Sequence, residues 1–271
     1  MSSFHSLERL REYRSLLLAV EAIGWFHMTG KVHADFLREH GGIKTGYKYE
    51  EWFQRLSFSL SDLLKWVKDK YSLPDKAWPN SIDDFLKEHR GKNPGLLGLL
   101  QAAHGMVSGI EKNLPKKASD YLAQDVTHMW LSSVFGFPER NLLVNMPQVL
   151  TERGWEEIKQ EIRRILEELK KLGESGTKDD IEDWWHWREK ALDFLRTAFT
   201  QTLAETRLPN NDVTLWDQSY MAAAMFKSAV AGALLEVSFP WNNKELKQET
   251  RWRLLTVAID VDHYDHLAVR I

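Results

Sequence analysis

The stretch Phe4–Lys31, FHSLERLREYRSLLLAVEAIGWFHMTGK, decides how the chain reads. Leu7, Leu10, Tyr13, Leu17, Val20 and Ile23 recur at three- and four-residue intervals, which lines one face of a helix and predicts a long helix from Phe4 to about Met28. The apolar half, Leu16 to Phe26, is interrupted by Glu21, and Glu8, Arg9, Arg11, Glu12 and Arg14 precede it. Its front is mixed in charge and its apolar run is broken, unlike an export signal. No run elsewhere approaches the roughly 18 apolar residues of a membrane-spanning helix, so a cytoplasmic location is expected, with no membrane partner. The helix gives way to His27-Met28-Thr29-Gly30-Lys31, a polar segment at the end of an apolar one.

The helical pattern continues outward from there. Tyr49–Lys70 sets Trp52, Phe53, Leu56, Leu60, Leu63, Leu64 and Val67 on one broad face. Pro74 and Pro79 mark a loop, and Ser81 followed by Asp84 resembles a helix N-cap. Leu96–Lys112 follows Asn93-Pro94-Gly95. Trp155–Leu172 is amphipathic, with the stripe Ile158, Ile162, Ile165 and Leu169 and a Glu/Lys/Arg face expected in solvent. The segment from Asp179 to Leu203 carries Trp184, Trp185 and Trp187. Trp216–Val237 is rich in alanine and suited to close helix packing, with Asp212 or Thr214 as its N-cap. Only Trp252–Ile259 departs, reading as a buried strand followed by Asp260 and Asp262. A lone strand needs ladder partners, and no convincing second strand lies upstream, so either a truncated piece of a larger protein or a strand that pairs with another chain is expected.

Composition narrows the chemistry. In 271 residues, 36 Lys plus Arg nearly balance 39 Asp plus Glu, which argues against a protein held to nucleic acid by a basic surface alone. The absence of cysteine removes disulfides, thiol nucleophiles and thiolate metal sites together. Any transition-metal site must rest on His, Asp and Glu. The 12 tryptophans imply an aromatic-heavy core or an aromatic partner face. Gly24 and Gly30-Lys31 miss the P-loop spacing, and Val32 stands where Ser or Thr must reach magnesium. No G-x-S-x-G, H-E-x-x-H or G-x-G-x-x-G occurs, so a nucleophilic hydrolase has no motif to support it. His27, His89 and His104 are the candidates for a shared imidazole site, against the alternative of ordinary surface or hydrogen-bonded histidines.

Four segments, in order along the chain, carry a family resemblance. His27-Met28-Thr29-Gly30-Lys31 resembles the His-Asp-x-Gly-Lys motif of HD-type phosphohydrolases, in particular the permuted HD domain that begins the large, polymerase/cyclase-like subunit of type III CRISPR–Cas effector complexes. Ala103 to Lys112 is similar to that family's Ala-Asp-x-x-Ser-Gly-x-Glu-Arg/Lys pattern. Ala204-Glu205-Thr206-Arg207-Leu208-Pro209, continuing to Leu215-Trp216-Asp217-Gln218, is similar to its Ala-Asp-Thr-Arg-x-Pro…Leu-Trp-Asp signature, the most specific of the four. Val257 to Asp262 resembles the first strand of a palm domain, which makes Asp260 and Asp262 weak candidate metal ligands, with plain strand-end residues as the other reading.

The resemblance implies a mainly α fold: a permuted HD-like helical domain over residues 1–150, a helical linker or extension over 151–245, and the start of a truncated palm domain over 246–271. It implies work in RNA-guided antiviral defence, with the other effector subunits and their guide RNA as partners and single-stranded DNA as a further one. It also implies a divalent ion, for which Ni²⁺, Co²⁺, Mn²⁺ and Zn²⁺ are the candidates. The departures qualify this. Met28 stands in place of the motif Asp and His104 in place of the second, so two carboxylates are lost, and a thioether is a poor ligand for a hard cation. The loss should weaken dication binding by several kcal/mol, on the order of Coulomb terms at an effective dielectric near 20. The expectation is a degenerate nuclease site acting as scaffold, with no confident catalytic residue. The alternatives are an active metal-dependent single-stranded DNA nuclease using His27, His89 and His104, or a helical protein–protein interaction module unrelated to CRISPR. The Gly-Gly-Asp-Asp motif is absent, so this chain alone should not make cyclic oligoadenylates.

Overall fold

The computed structural model describes residues 3–40, 44–47, 49–80, 84, 91–111, 130–131, 140–141, 148–175, 181–204 and 213–253. The fold is mainly helical. The long N-terminal helix is two helices, α1 (Ser3–Glu12) and α2 (Arg14–Phe26), because Tyr13 leaves helical dihedrals (φ −94°, ψ 14°) and stacks on Tyr71 with ring centroids 5.2 Å apart. Then come α3 (Ala34–His40), α4 (Tyr49–Lys70), α5 (Gly95–Glu111), α6 (Glu152–Glu174), α7 (Ile181–Phe199), α8 (Leu215–Leu235) and the short α9 (Leu246–Glu249). Gly95 opens α5 at φ +63°, where a Cβ would fall on the carbonyl oxygens of Lys76 and Ala77. Two two-residue strands, Trp130–Leu131 and Arg140–Asn141, pair antiparallel, and Leu203 bridges Thr214. The strand expected from Trp252 lies, from Leu254 onward, outside the described residues. Trp252 itself donates from its indole N–H to the Met225 carbonyl on α8 at 3.0 Å.

Helix ends follow local chemistry. Thr151 caps α6 by accepting from the Gly154 N–H at 3.1 Å. Thr214 caps α8, and Asp217 returns the bond to the Thr214 backbone N–H at 2.9 Å, closing a capping box. The stripe Ile158, Ile162, Ile165 and Leu169 of α6 is buried as its spacing requires. Among the three neighbouring tryptophans of α7, Trp184 and Trp187 enter the core, while Trp185 stays 57 % exposed.

The centre is α2. Every residue from Ser15 to Phe26 is buried, so this helix has no solvent face and packs against α4, α6 and above all α8. At Gly24 α2 and α8 come into close approach, since a Cβ there would lie 2.6 Å from the Ala223 Cα. Glu21, buried in the same helix, is held at both oxygens. Arg188 of α7 donates to Oε1 from Nε at 3.0 Å and from Nη2 at 2.8 Å, and Lys227 of α8 donates to Oε2 at 2.5 Å. A carboxylate stripped of water is tolerable only with such partners. One continuous apolar core runs from Leu16 to Leu246, so the helices of 151–245 pack directly on those of the N-terminal part.

Glycine-to-alanine substitutions should have opposite signs at two helical positions. Gly24→Ala should destabilise by about 1–3 kcal/mol through overpacking against Ala223. Gly232→Ala meets nothing within 4 Å and should stabilise by about 0.5–1 kcal/mol through helix propensity. Urea denaturation of the two variants checks both.

Candidate functional site

Helix α2 ends at the residues that the sequence singles out. His27 continues its last turn, giving its backbone N–H to the Ile23 carbonyl at 2.9 Å, and Thr29 turns its hydroxyl onto the Phe26 carbonyl at 2.7 Å. A short 3₁₀ turn, Thr29–Lys31, then redirects the chain. The Tyr47 hydroxyl holds that turn by donating to the Gly30 carbonyl, and its ring stacks on His33 with centroids 5.7 Å apart. His27 is 1 % exposed, so both its ring nitrogens need partners inside the protein.

Those partners form a line. His27 Nδ1 lies 2.6 Å from the Gly24 carbonyl, which can only accept, so Nδ1 carries the proton. In the neutral ring Nε2 is then an acceptor, and it faces His104 Nδ1 at 3.1 Å. His104 therefore donates from Nδ1 and presents a bare Nε2 to the Ser108 hydroxyl at 3.2 Å. Ser108 Oγ receives the Gln218 amide at 3.4 Å, and Gln218 Oε1 receives the Lys31 ammonium at 2.7 Å. Lys31 also donates to the Ala204 carbonyl at 2.8 Å. The bonds from Lys31 through Gln218, Ser108 and His104 to His27 run in one direction, from the ammonium to the Gly24 carbonyl, which fixes both imidazole tautomers and the orientation of the Gln218 amide.

The network joins three of the motif-like segments. His27 and Lys31 come from the first, His104 and Ser108 from the second, and Ala204 and Gln218 stand at the two ends of the third. His89, Asp260 and Asp262 lie outside the described residues. Met28 does not reach the cluster as a ligand; it is fully buried within the hydrophobic core. Around the third segment the fold explains several residues by packing. Asp217 serves the capping box, and the Trp216 ring lies under the Arg196 guanidinium at 5.5 Å and beside Tyr220. Asp212, the other N-cap candidate, is outside the described residues.

The donor set does not suit a hard divalent ion. Two imidazole nitrogens face each other with no carboxylate between them, and Mg²⁺ or Mn²⁺ draws its affinity from anionic oxygen. Among the described residues, no three His, Asp or Glu side chains gather where a metal ion could sit. What the cluster can do is hold and pass protons along a fixed line.

Gln218 carries no signal of this role in the sequence, and Ser108 only a local one. Gln218 reads as the residue after Trp-Asp, and Ser108 as a small residue on a helix. The i, i+4 spacing of His104 and Ser108 was the one cue available, since it places both on one helix face. Comparison with known proteins finds no family model that matches the chain, and no curated protein or solved structure with significant similarity to it. Among the described residues, no helix is long and apolar enough to cross a membrane.

At neutral pH, ¹⁵N–¹H correlation spectra of the imidazoles should show His27 and His104 both protonated at Nδ1. A His27 protonated at Nε2 would contradict the direction of the network.

Proposed function

We propose that this chain forms the N-terminal HD-like region of the large subunit of a type III CRISPR–Cas effector complex and serves RNA-guided antiviral defence as a scaffold whose metal-dependent nuclease site has been lost. One observation carries the reading. Segments far apart in sequence, each resembling a motif of that family, meet at one hydrogen-bonded cluster through His27, Lys31, His104, Ser108, Ala204 and Gln218. The loss of nuclease chemistry rests on what fills the two carboxylate positions. Met28 is packed into the core, and His104 spends its Nδ1 proton on His27.

In this reading the partners are the other effector subunits with their guide RNA, and single-stranded DNA passes nearby without being cut. The protein works in the cytoplasm. The alternative of a free-standing interaction module draws on an exposed tryptophan-rich segment, yet Trp184 and Trp187 lie in the core and only Trp185 faces outward.

Two measurements test the proposal. Co-expressed with the remaining subunits of a type III complex and guide RNA, the chain should co-purify stoichiometrically with them; failure to do so removes the family reading. Titrated with Mn²⁺, Ni²⁺, Co²⁺ and Zn²⁺, it should neither retain an ion nor cleave single-stranded DNA. Retention and cleavage that both disappear in His27→Ala and His104→Ala would replace the scaffold with an imidazole-based nuclease to which His89 contributes.

Restoring the motif carboxylate should not restore the site. Met28→Asp should destabilise the fold by about 3 kcal/mol or more, because it buries a charge in the core, and should confer no Mn²⁺ binding. Thermal denaturation and metal titration of the variant check the two outcomes.

A further inference from the structure

The line of hydrogen bonds passes through a hydroxyl. Ser108 and His104 sit one helical turn apart on α5, with Ser108 Oγ 3.2 Å from the bare His104 Nε2. His104 is oriented in turn by its Nδ1–H bond to His27 at 3.1 Å, and His27 is anchored on the Gly24 carbonyl. A nucleophile within reach of a base, with the base aimed by a third group, is the arrangement that activates serine. Here a second imidazole takes the orienting place that a carboxylate holds elsewhere, and it can stabilise an imidazolium at His104 through its lone pair. His27 is buried, whereas His104 and Ser108 are part-exposed and Gly105 and Met106 between them are exposed, so this stretch of the line lies near the surface.

We propose that Ser108 is a metal-independent nucleophile toward carboxylic esters, with His104 as general base and His27 as the positioning residue. Ser108 Oγ bonds to the ester carbonyl carbon while its proton passes to His104 Nε2. The carbonyl π pair moves onto oxygen, where the Gln218 amide N–H, 3.4 Å from Oγ, is the nearest donor for the oxyanion. When the carbonyl re-forms, the C–O bond to the alcohol breaks and the alcohol takes the proton from His104 Nε2. Water, deprotonated by the same nitrogen, then releases the acyl group as a carboxylic acid, and Ser108 recovers its proton. The balance is ester plus water giving acid plus alcohol, with no oxidant or metal. An acyl substrate is favoured over a phosphoryl one because a carbonyl develops one oxyanion, which one donor can meet. Phosphoryl transfer spreads charge over three oxygens and needs a cationic clamp, and the Lys31 ammonium is engaged by Ala204 and Gln218.

The assignment does not depend on the family reading, since it is tested on this chain alone. The purified chain, in excess EDTA, is incubated with a fluorophosphonate, and the adduct is followed by intact mass. Phosphonylation joins Ser108 Oγ to phosphorus and expels fluoride, with the hydroxyl proton going to His104. A single stoichiometric adduct is expected, absent in Ser108→Ala, a small change at a part-exposed position. The labelling rate should fall about 100-fold or more in His104→Gln, and in the wild type should drop on acidification, because a protonated imidazole cannot accept the serine proton. His27→Asn should slow labelling and move the midpoint of that pH profile, which a merely structural role would not do. p-Nitrophenyl acetate hydrolysis should follow the same order of variants. An unlabelled wild type, an adduct that persists in Ser108→Ala, or an unchanged rate in His104→Gln overturns the proposal.

Discussion

A helix with no solvent face must be located in rotation and depth by its neighbours, and α2 is located at two points. The Gly24–Ala223 approach sets how near α8 can lie, because the missing side chain is what admits the backbone of the other helix. The Glu21 carboxylate sets the rotation, because Arg188 and Lys227 reach it from two other helices. With both fixed, the C-terminal turn of α2 has one place to go. His27 enters the interior beside α5 because Glu21 and Gly24 are held where they are.

That placement explains the chemistry of the cluster. A carboxylate at position 104 would have set an anion against His27, and one at position 28 would have been buried in the apolar core. Met28 instead adds to the apolar core, and His104 supplies one donor and one acceptor. The imidazoles satisfy each other, and the surplus hydrogen-bonding capacity is carried outward to Ser108, Gln218 and Lys31. A pocket without carboxylates is held by direction: from Lys31 to His27, each group in the line donates to the next toward the Gly24 carbonyl.

Much of the fold was legible because helical periodicity is local. The Ile158, Ile162, Ile165 and Leu169 stripe, the Tyr49–Lys70 helix and the Thr214 cap each depend on neighbours within a few residues. The break at Tyr13 was not legible, since Tyr71, on which it stacks, belongs to a later segment. Glu21 was legible only as an interruption of an apolar run; its meaning depends on partners 167 and 206 residues away. In the candidate site, His27 and His104 could be named from motif resemblance, and the structure brings them together. Gln218 could not, because a buried amide takes its role from tertiary neighbours, whereas Ser108 was marked only by its i, i+4 spacing from His104.

The pairing of α2 with α8 also has a consequence for how the protein is made. Gly24 and Ala223 are separated by roughly 200 residues, so at a synthesis rate of about 5–20 residues per second the first helix waits on the order of 10–40 s for its principal neighbour. During that interval a strongly apolar segment carrying a carboxylate without its Arg188 and Lys227 partners is present at the ribosome, with only α4 of its major neighbours made early. Loop closure of that length makes the central contact a late event. The nascent chain is therefore a natural client for chaperones that shelter exposed apolar helices, and Glu21, by keeping water around that segment, also lowers its tendency to aggregate before the partner arrives.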